Sequence, residues 1–306
     1  MFAFRRRSKR YSRMTTGDRV FDWTNNLIMV LVILACAYPF YYCIVLSFND
    51  GYDVLNGGIF LWPRALTLEN YRVIFRDNTI PWAFVVTCAR TLLGTALSII
   101  YTSMVGFALV RPQLKLRKLY ISLGLVTMYV SGGIIPLYML IKELGMVDSF
   151  WVYILPNLSS FYNIVIVMAF FRGIPASMVE SAKIDGANEF QVYARIVMPV
   201  SGAVLATIGM FNAVFHWNSW FDGYIYISSQ SLKTLPLILV EMINQGMAME
   251  KLRASGNSLL MSELAGPTEN SVRLATMVVA VLPILGAYPF CQKYFVKGIM
   301  LGSVKG

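Results

Sequence analysis

The sequence predicts an all-α membrane protein, a bundle of six transmembrane helices, on three observations. Of its 306 residues, 57% are hydrophobic and only 14% are charged, whereas about a quarter of the residues in a soluble domain are charged. The mean hydropathy is +0.60, so the chain has more apolar side chains than one water-soluble core can bury. Long charge-free stretches also recur along the chain. This pattern excludes an ordinary soluble enzyme.

Six charge-free stretches are long enough to cross a membrane, since a transmembrane helix needs about 20 apolar residues. They are Trp23–Asn49, Thr91–Val110, Leu119–Ile141, Ser149–Phe171, Ile196–Phe221 and Leu274–Gln292. The second is expected to begin earlier, near Trp82, which places Arg90 about two turns inside a span. An arginine there either extends to the external interface, which is the favoured interpretation, or has a function within the membrane.

The basic residues indicate how the bundle is oriented. An even number of spans places both termini on the same side, and cytoplasmic flanks are enriched in Lys and Arg. Seven basic residues lie in the first 19 positions, and four more lie in the short loop 111–118. We therefore expect both termini in the cytoplasm. The net charge of +10 is explained by these flanks, which set topology and meet anionic lipid, and it does not indicate nucleic-acid binding.

The predicted spans divide the chain into three parts. They are the basic tail with the first span and first external loop (1–81), a core with the other five spans (82–292), and a cytoplasmic carboxyl-terminal tail (293–306). The core contains a cytoplasmic loop, 172–199, and an external loop, 222–273. Within the external loop, a helix is expected over 242–264, before the break at Gly266-Pro267.

The cytoplasmic loop is predicted to form two short helices that meet at a glycine. Pro175 suits a first helical turn and Gly186 suits the left-handed position just past a helix end, which predicts a helix over about 175–185. Asn188 is a suitable cap for a second helix that ends near Pro199. The apolar residues of the second helix are spaced so as to share one face: Phe190, Tyr193, Ala194 and Val197.

This loop carries a specific resemblance. Glu180-Ser181-Ala182, three residues, Gly186, nine residues and Ile196-Val197-Met198-Pro199 resemble the EAA signature of bacterial ABC importer permeases. Ser181 stands for the usual Ala and Met198 for the usual Leu, both small changes in volume. Three further stretches resemble the MalG-type carbohydrate permeases, in particular the LplC-like ones: Ile184-Asp185-Gly186-Ala187, Trp217-Asn218 and the carboxyl end from Tyr288.

The resemblance implies the type I ABC importer permease fold in a bacterial cytoplasmic membrane. It implies that the helix pair is a coupling helix that docks into a cleft on an ATP-binding subunit. The residues implied in coupling are Glu180, Ser181, Ala182, Asp185, Gly186, Ala187, Ile196 and Pro199. Alternatively, Glu180 is only the partner of Ser177 in a capping box.

The resemblance also implies partners. These are a second homologous permease, two ATP-binding subunits and an external solute-binding protein. The chain itself is expected to hold no cofactor, since ATP and Mg are bound by the ATP-binding subunits in that family. The sequence has no glycine-rich phosphate-binding loop of its own.

Aromatic and amide side chains near the predicted spans suit a sugar. Sugars present apolar faces that stack on aromatic rings, and their hydroxyls need amide or carboxylate partners. The candidate substrate-path residues are Asn163, Trp217, Asn218, Trp220, Asp222 and Tyr224. For the run around Trp217, an aromatic belt at the membrane interface is an equal alternative. For Asn163, the alternative is a hydrogen bond between helices.

We therefore expect a translocation subunit, not an enzyme, that imports a sugar, in particular an oligosaccharide. One histidine and four cysteines without ligand spacing predict no metal site. The alternatives are an ion-gradient-driven secondary transporter, which requires acidic residues near the midplane, and an ABC permease for a non-carbohydrate solute. Arginines at 64, 72 and 76 in the first external loop are compatible with an acidic saccharide.

Overall fold

The computed structural model describes residues 15–76, 78–254 and 270–286. These residues form helices and turns and contain no β-strand, which confirms the predicted all-α class. The helices are α1 (Thr16–Ser47), α2 (Gly51–Asn56), α3 (Glu69–Arg76), α4 (Thr79–Val110), α5 (Arg117–Tyr129), α6 (Ile134–Glu143), α7 (Phe161–Arg172), α8 (Ala176–Ile184), α9 (Glu189–Val200), α10 (Gly202–Asn218), α11 (Phe221–Tyr226), α12 (Leu235–Ala254) and α13 (Asn270–Gly286).

Two helices, α1 and α4, are each 32 residues long and apolar enough to cross a membrane. Three pairs reach that length only if both members count as one bent span: α5 with α6 at 117°, α7 with α8 at 76°, and α9 with α10 at 81°. By length and composition, these helices provide two to five spans. The sixth predicted span, Leu274–Gln292, coincides with α13 as far as Gly286, and its remainder lies outside the described residues.

The third and fourth predicted spans are not single helices. After α5, the backbone passes through Gly133 at φ +83°, a conformation that favours glycine, and only then enters α6. In the predicted span Ser149–Phe171, a short 3-10 turn at Phe150–Tyr153 precedes the helix, which begins at Phe161. Pro156 has no amide hydrogen, so a continuous helix through it would lose a hydrogen bond.

The helix expected over 242–264 begins seven residues earlier, at Leu235. The reason is tertiary, because the Leu235 amide donates to Thr87 Oγ1 of α4 at 2.8 Å, which caps the helix from another element. Its predicted end lies outside the described residues. The start of α4 at Thr79 also differs from the expected Trp82, and it places Arg90 about three turns inside the helix.

The described residues divide into two compact units, one containing residues up to 70 with 270–278, the other residues 71–254 with 279–286. In the first, a small core forms around Val45, Leu46 and Ile59. The second has two main buried clusters. One surrounds Tyr153 and includes residues of α4, α6 and α11. The other lies where α7, α8, α9 and α10 meet, and it supports the helix pair that carries the signature.

Candidate functional site

The end of α8 has a geometry that explains two positions of the signature, Ala182 and Gly186, and the small residue that follows them. Gly186 lies at φ +84°, a left-handed conformation that side-chain-bearing residues rarely adopt. The Ala187 amide donates to the Ala182 carbonyl at 2.9 Å, and the Gly186 amide donates to Lys183 at 3.1 Å. These bonds form a Schellman turn, in which the residues at the two ends of the longer bond pack together. Ala182 is accordingly buried and Ala187 half-buried.

The next helix, α9, begins after Asn188, the cap that the sequence predicts, and the cap is reciprocal. Asn188 Oδ1 accepts from the Gln191 amide and Gln191 Oε1 accepts from the Asn188 amide, both at 2.8 Å. The helix then contains a π turn over Tyr193–Val197. Because a π turn bonds residue i to i+5, Val192 and Val197 face the same side and both are buried.

The apolar face predicted for α9 is therefore partly wrong. Tyr193 and Val197 are buried as expected, but Phe190 is 67% exposed and Ala194 is also exposed. The helix also runs to Val200, where the chain bends by 81° into α10. A regular helical period cannot reveal the π turn, since that turn depends on how α9 packs.

The exposed surface of the helix pair combines charge with an apolar tip. Ile184 is 86% exposed beside the turn, and Glu180, Ser181 and Asp185 are exposed on the same segment. The α8 helix begins at Ala176 without a side-chain cap, so the alternative capping box between Ser177 and Glu180 is wrong. Ile196 is half-buried in the supporting core, and Pro199 is exposed.

The helix pair is anchored to the long helix α4. Tyr193 and Ser103 share a hydrogen bond of 2.7 Å between their hydroxyls, both in the interior. The Tyr193 ring also packs on Phe107, with ring centres 5.4 Å apart. Glu189 forms ion pairs with Lys183 of α8 and, at 3.3 Å, with Arg111 at the end of α4. The helix pair is therefore tied to α4 by a hydrogen bond, a ring contact and an ion pair.

Further along α4, Arg90 belongs to a sealed charged cluster. Its side chain is completely buried, so the favoured prediction of an arginine extending to the interface is wrong. The guanidinium pairs with Asp222 of α11 and donates from Nη1 to the Ser219 carbonyl at 2.9 Å. It also lies over the Tyr153 ring, 4.4 Å from its centre. Asp222 follows the fifth predicted span, which is why a search for acidic residues within spans misses it.

His216 of α10 is buried. Its ring fills the space that a side chain at position 94 of α4 would occupy, because Gly94 has none. A Cβ atom at position 94 would lie 2.5 Å from His216 Nε2, which is far too close. Neither ring nitrogen of His216 has a hydrogen-bond partner among the described residues. The glycine is required there because the helices approach closely.

In the run that the sequence singled out, Asn218 and Trp220 line one shallow pocket, whereas Trp217 and Asp222 make separate contacts. Trp217 Nε1 donates to the Ala280 carbonyl at 3.2 Å, and Asn218 Nδ2 donates to Val214 within its own helix at 2.8 Å. Trp220 and Tyr224 are exposed and contact each other edge to face. Asp222 pairs with Arg90. A role of these residues in the substrate path stays a prediction.

Asn163, the remaining candidate, lines a large cavity that the sequence does not reveal. The cavity lies among α4, α5, α7 and α10, and its volume is about 890 Å³, within the roughly 300–1,000 Å³ of ligand pockets. Its aromatic lining residues are Tyr101, Tyr120, Phe161, Tyr162, Phe211 and Phe215. Its polar ones are Thr127, Asn157, Ser159, Ser160, Asn163 and Asn212. No charged side chain is among its described lining residues.

One wall of this cavity depends on a glycine. The Phe161 ring packs directly against Gly124 of α5, where an added Cβ would lie 1.9 Å from Phe161 Cε2. The contact positions the start of α7, and with it Ser160 and Asn163, beside the cavity. The isolated amides of Asn163 and Asn212 in apolar spans are the signal in the sequence, but only the fold brings them together.

The structure removes one of the observations that made an acidic sugar attractive. Arg64, one of the three external arginines, bonds Asp53 Oδ1 at 2.8 Å and the Gly57 carbonyl at 2.7 Å from Nη2. These bonds hold the loop after α2 together. Arg64 is therefore a structural residue of that loop, and its presence does not indicate an acidic solute.

Comparisons with known proteins identify the family. The chain is 35% identical over 289 residues to YtcP of Bacillus subtilis strain 168, a polygalacturonan/rhamnogalacturonan transport system permease, covering 94% of this chain and 99% of YtcP. It is 36% identical over 292 residues to the protein LplC of the same strain, covering 95% and 97%. The chain belongs to the permease subunits of carbohydrate ABC transporters. No protein-family model matches it.

A solved structure agrees with this assignment. The fold matches a chain of a bacterial ABC transporter involved in the import of the acidic polysaccharide alginate, with a TM-score of 0.81 and 26% identity over 92% of this chain and 99% of that one. The protein is thus an integral membrane translocation subunit and not an enzyme. Such permeases work with ATP-binding subunits and a solute-binding protein. Membership excludes the ion-gradient-driven alternative.

Proposed function

We propose that this chain is one of two different permeases in a binding-protein-dependent importer, and that it moves an oligosaccharide across the bacterial cytoplasmic membrane. The observation that carries the proposal is the turn at Gly186, where two capped helices present an exposed apolar and acidic tip. The partners are a second homologous permease, two ATP-binding subunits and an external solute-binding protein. ATP and Mg are bound by the ATP-binding subunits, and this chain holds no cofactor.

The helix pair α8–α9 is the coupling element in this proposal. Glu180, Ser181, Asp185 and Ile184 form the docking surface, because they are exposed. The other predicted coupling residues act from within the fold, by forming the turn or supporting it: Ala182, Gly186, Ala187, Ile196 and Pro199. When the ATP-binding subunits close, they carry this pair with them, and the contact of Tyr193 with Ser103 passes the motion to α4.

The proposed membrane organisation keeps the six predicted spans with both termini in the cytoplasm. Residues 1–81 comprise the tail, the first span and the first external loop, residues 82–292 are the permease core, and 293–306 form the tail. The lengths of α1 and α4 support this assignment, as does the excess of basic residues in the amino-terminal tail and the loop 111–118. The loop 172–199 is then cytoplasmic and the loop 222–273 external.

The proposed solute is an oligosaccharide of plant or algal origin. YtcP is named for polygalacturonan and rhamnogalacturonan, and the alginate importer for an acidic polysaccharide. The proposed substrate path includes the six predicted residues: Asn163, Trp217, Asn218, Trp220, Asp222 and Tyr224. Asn163 has the best support, because it lines the large cavity. Contact with Asp222 requires its ion pair with Arg90 to open.

Affinity purification of the chain from its native membrane in detergent tests this proposal. We expect an ATP-binding subunit and a second permease to co-purify. Gly186→Pro should abolish recovery of the ATP-binding subunit, since proline fixes φ near −65° and Gly186 lies at +84°. Glu180→Ala should weaken that recovery without harming the fold, because the Glu180 side chain is exposed and has no partner among the described residues.

The matched control is Glu143→Ala, which removes an exposed glutamate at the end of α6. It should leave recovery unchanged, because the proposed topology places Glu143 on the external side of the membrane, opposite the coupling pair. Purification of the wild-type chain alone or as a homodimer contradicts the proposed assembly. Equal recovery with Glu180→Ala, Gly186→Pro and Glu143→Ala contradicts the coupling assignment.

A further inference from the structure

A second cavity lies where α4 and α7 end beside α8, and its walls are of two kinds. Its volume is about 440 Å³, within the range of ligand pockets. One wall is apolar: Phe107, Val110, Phe171, Ile174, Val179 and Val197. The other wall carries three cations from three different segments: Arg111, Arg172 and Lys183. This basic cavity therefore suits a ligand with an anionic head and an apolar body.

Cations exceed carboxylates around the basic cavity. The one acidic side chain in its described lining is Glu180. A second carboxylate, Glu189 of α9, pairs with Lys183 and, at 3.3 Å, with Arg111. Arg172, at the end of α7, has no acidic partner among the described residues. Three cations against two carboxylates leave one positive charge, which a group with a single negative charge would neutralise.

Arg111 has a donor that the described residues leave unused. Its Nη2 atom is buried and has no hydrogen-bond partner among them. Its Cζ atom lies 4.1 Å from the centre of the Phe107 ring, so one face of the guanidinium is covered by an aromatic ring. A buried donor without a partner costs free energy, and an anionic oxygen is the acceptor that arginine binds most strongly. An oxyanion beside Arg111 would satisfy this donor.

The position of the basic cavity favours a lipid as the source of that oxyanion. The helix α4 ends at Val110 and α7 ends at Arg172, and in the proposed topology both ends face the cytoplasm. Apolar spans that end together place the cavity near the depth of the lipid phosphates. Anionic lipids line the cytoplasmic surface, and basic pockets between transmembrane helices on that side suit their headgroups. A soluble phosphate would use the cations and leave the apolar wall in contact with water.

We infer that the basic cavity binds the phosphodiester of an anionic lipid of the phosphatidylglycerol class. The phosphate lies among the three cations, and the glycerol and first acyl carbons lie on the apolar wall. The bound lipid links the ends of α4 and α7 to α8, the helix that presents the proposed docking surface. The site goes beyond the proposed function, because it gives the coupling pair a contact with the membrane and does not depend on the solute.

The test measures the dissociation constant of phosphatidylglycerol, labelled with a fluorophore on its acyl chain, for the protein purified from its native membrane in an uncharged detergent. Arg172→Gln removes the charge of an exposed side chain, so the fold should persist. We expect binding to weaken by about tenfold, the effect of losing one charged hydrogen bond. Arg172→Lys keeps the charge and should restore most of the affinity.

The matched control is Lys118→Gln. Lys118 is exposed in the first turn of α5, on the side predicted to be cytoplasmic, and it does not line the cavity. A general attraction of basic residues for anionic lipid would make this variant lose as much affinity as Arg172→Gln. Binding to the cavity predicts a dissociation constant equal to that of the wild type.

Competitors identify the source of the phosphate. Unlabelled phosphatidylglycerol should displace the fluorescent lipid, whereas phosphatidylcholine, whose headgroup has no net charge, should displace it far less at the same concentration. Inorganic phosphate should not displace it at that concentration, because it makes no contact with the apolar wall. Equal displacement by inorganic phosphate overturns the lipid as the ligand.

The remaining outcomes separate this site from the proposed function. Equal affinity of the wild type and Arg172→Gln overturns the lipid site. If Arg172→Gln also lost the ATP-binding subunit, the cavity would instead receive an acidic side chain of that subunit. If no ATP-binding subunit co-purified with the wild type, and Arg172→Gln still weakened lipid binding, the proposed function would fail and the lipid site would stand.

Discussion

The same helical bundle contains two polar regions of opposite character. The cluster of Arg90, Asp222 and Tyr153 is charged and sealed, with the guanidinium completely buried. The cavity beside Asn163 and Asn212 is open and has no charge among its described lining residues. Both regions include residues of α4, but they differ in chemistry.

The difference indicates how a membrane protein uses polarity for two purposes. A charge in a medium of low polarity is tolerated only when a partner and hydrogen bonds surround it, and such a cluster holds helices together. A neutral amide is cheaper to leave unpaired, so it can line an open space and exchange partners with a solute. The sealed cluster is thus structural, and the open cavity is the region that the proposed function assigns to the solute.

The largest effect is expected from Arg90→Ala. The substitution leaves Asp222 nearly buried without a counter-charge, which should destabilise the folded protein by about 3–5 kcal/mol. Thermal unfolding of the purified protein in detergent measures it. Arg90→Met combined with Asp222→Leu should restore most of the loss, because an apolar pair needs no counter-charge.

Arg64→Ala is the matched control, since Arg64 also pairs with an aspartate, Asp53, but at an exposed site. Exposed pairs contribute about 1 kcal/mol or less, so its unfolding temperature should change little. If Arg90→Ala unfolded at the same temperature as Arg64→Ala, the sealed cluster would not be structural and the comparison would fail.

A smaller effect is expected from Gly94→Ala. The new methyl group would lie 2.5 Å from the His216 ring, and overpacking of this kind costs about 1–3 kcal/mol. Gly202→Ala is the control, because an added Cβ there meets nothing within 4 Å. The unfolding temperatures of both variants in detergent test this. Equal values would show that the close packing of α4 on α10 at Gly94 does not contribute to stability.

The smallest effect is a pH dependence at a half-buried charge. Asp148 accepts hydrogen bonds from the amides of Ser228 and Ser229 at 3.0 and 2.8 Å and from the Ser229 hydroxyl. Bonding to Ser229, chiefly through its hydroxyl, holds the pKa of Asp148 below its ordinary value of 3.8. A lowered pKa stabilises the folded form above the ordinary value, and that contribution is lost as the pH falls through the lowered one.

Unfolding temperatures measured between pH 7 and pH 3 therefore test the contact. The wild type should lose stability below about pH 4 by more than Asp148→Asn does, because asparagine does not titrate. At pH 7 and pH 5 the difference between the two proteins should be constant. Parallel curves down to pH 3 would mean that this carboxylate contributes nothing through its charge.

Parts of the molecule differ in how far the sequence predicted their structure. The turn at Gly186 and the cap at Asn188 depend on neighbours within a few residues, so residue type and spacing predicted them. The buried face of α9 was only partly predicted, because its π turn responds to packing. The environment of Arg90 was predicted wrongly, because its partner Asp222 lies 132 positions away.

The sequence by itself determined the all-helical class, the long apolar helices α1 and α4, the family and the helix pair around Gly186. These depend on composition, on short-range capping and on backbone preference. Only the tertiary structure decided that Arg90 is sealed, that α5 and α6 are bent apart, and that Asn163 and Asn212 share a cavity. Those outcomes depend on contacts between residues far apart in the chain, whose free energy is set by packing and by the low polarity around them.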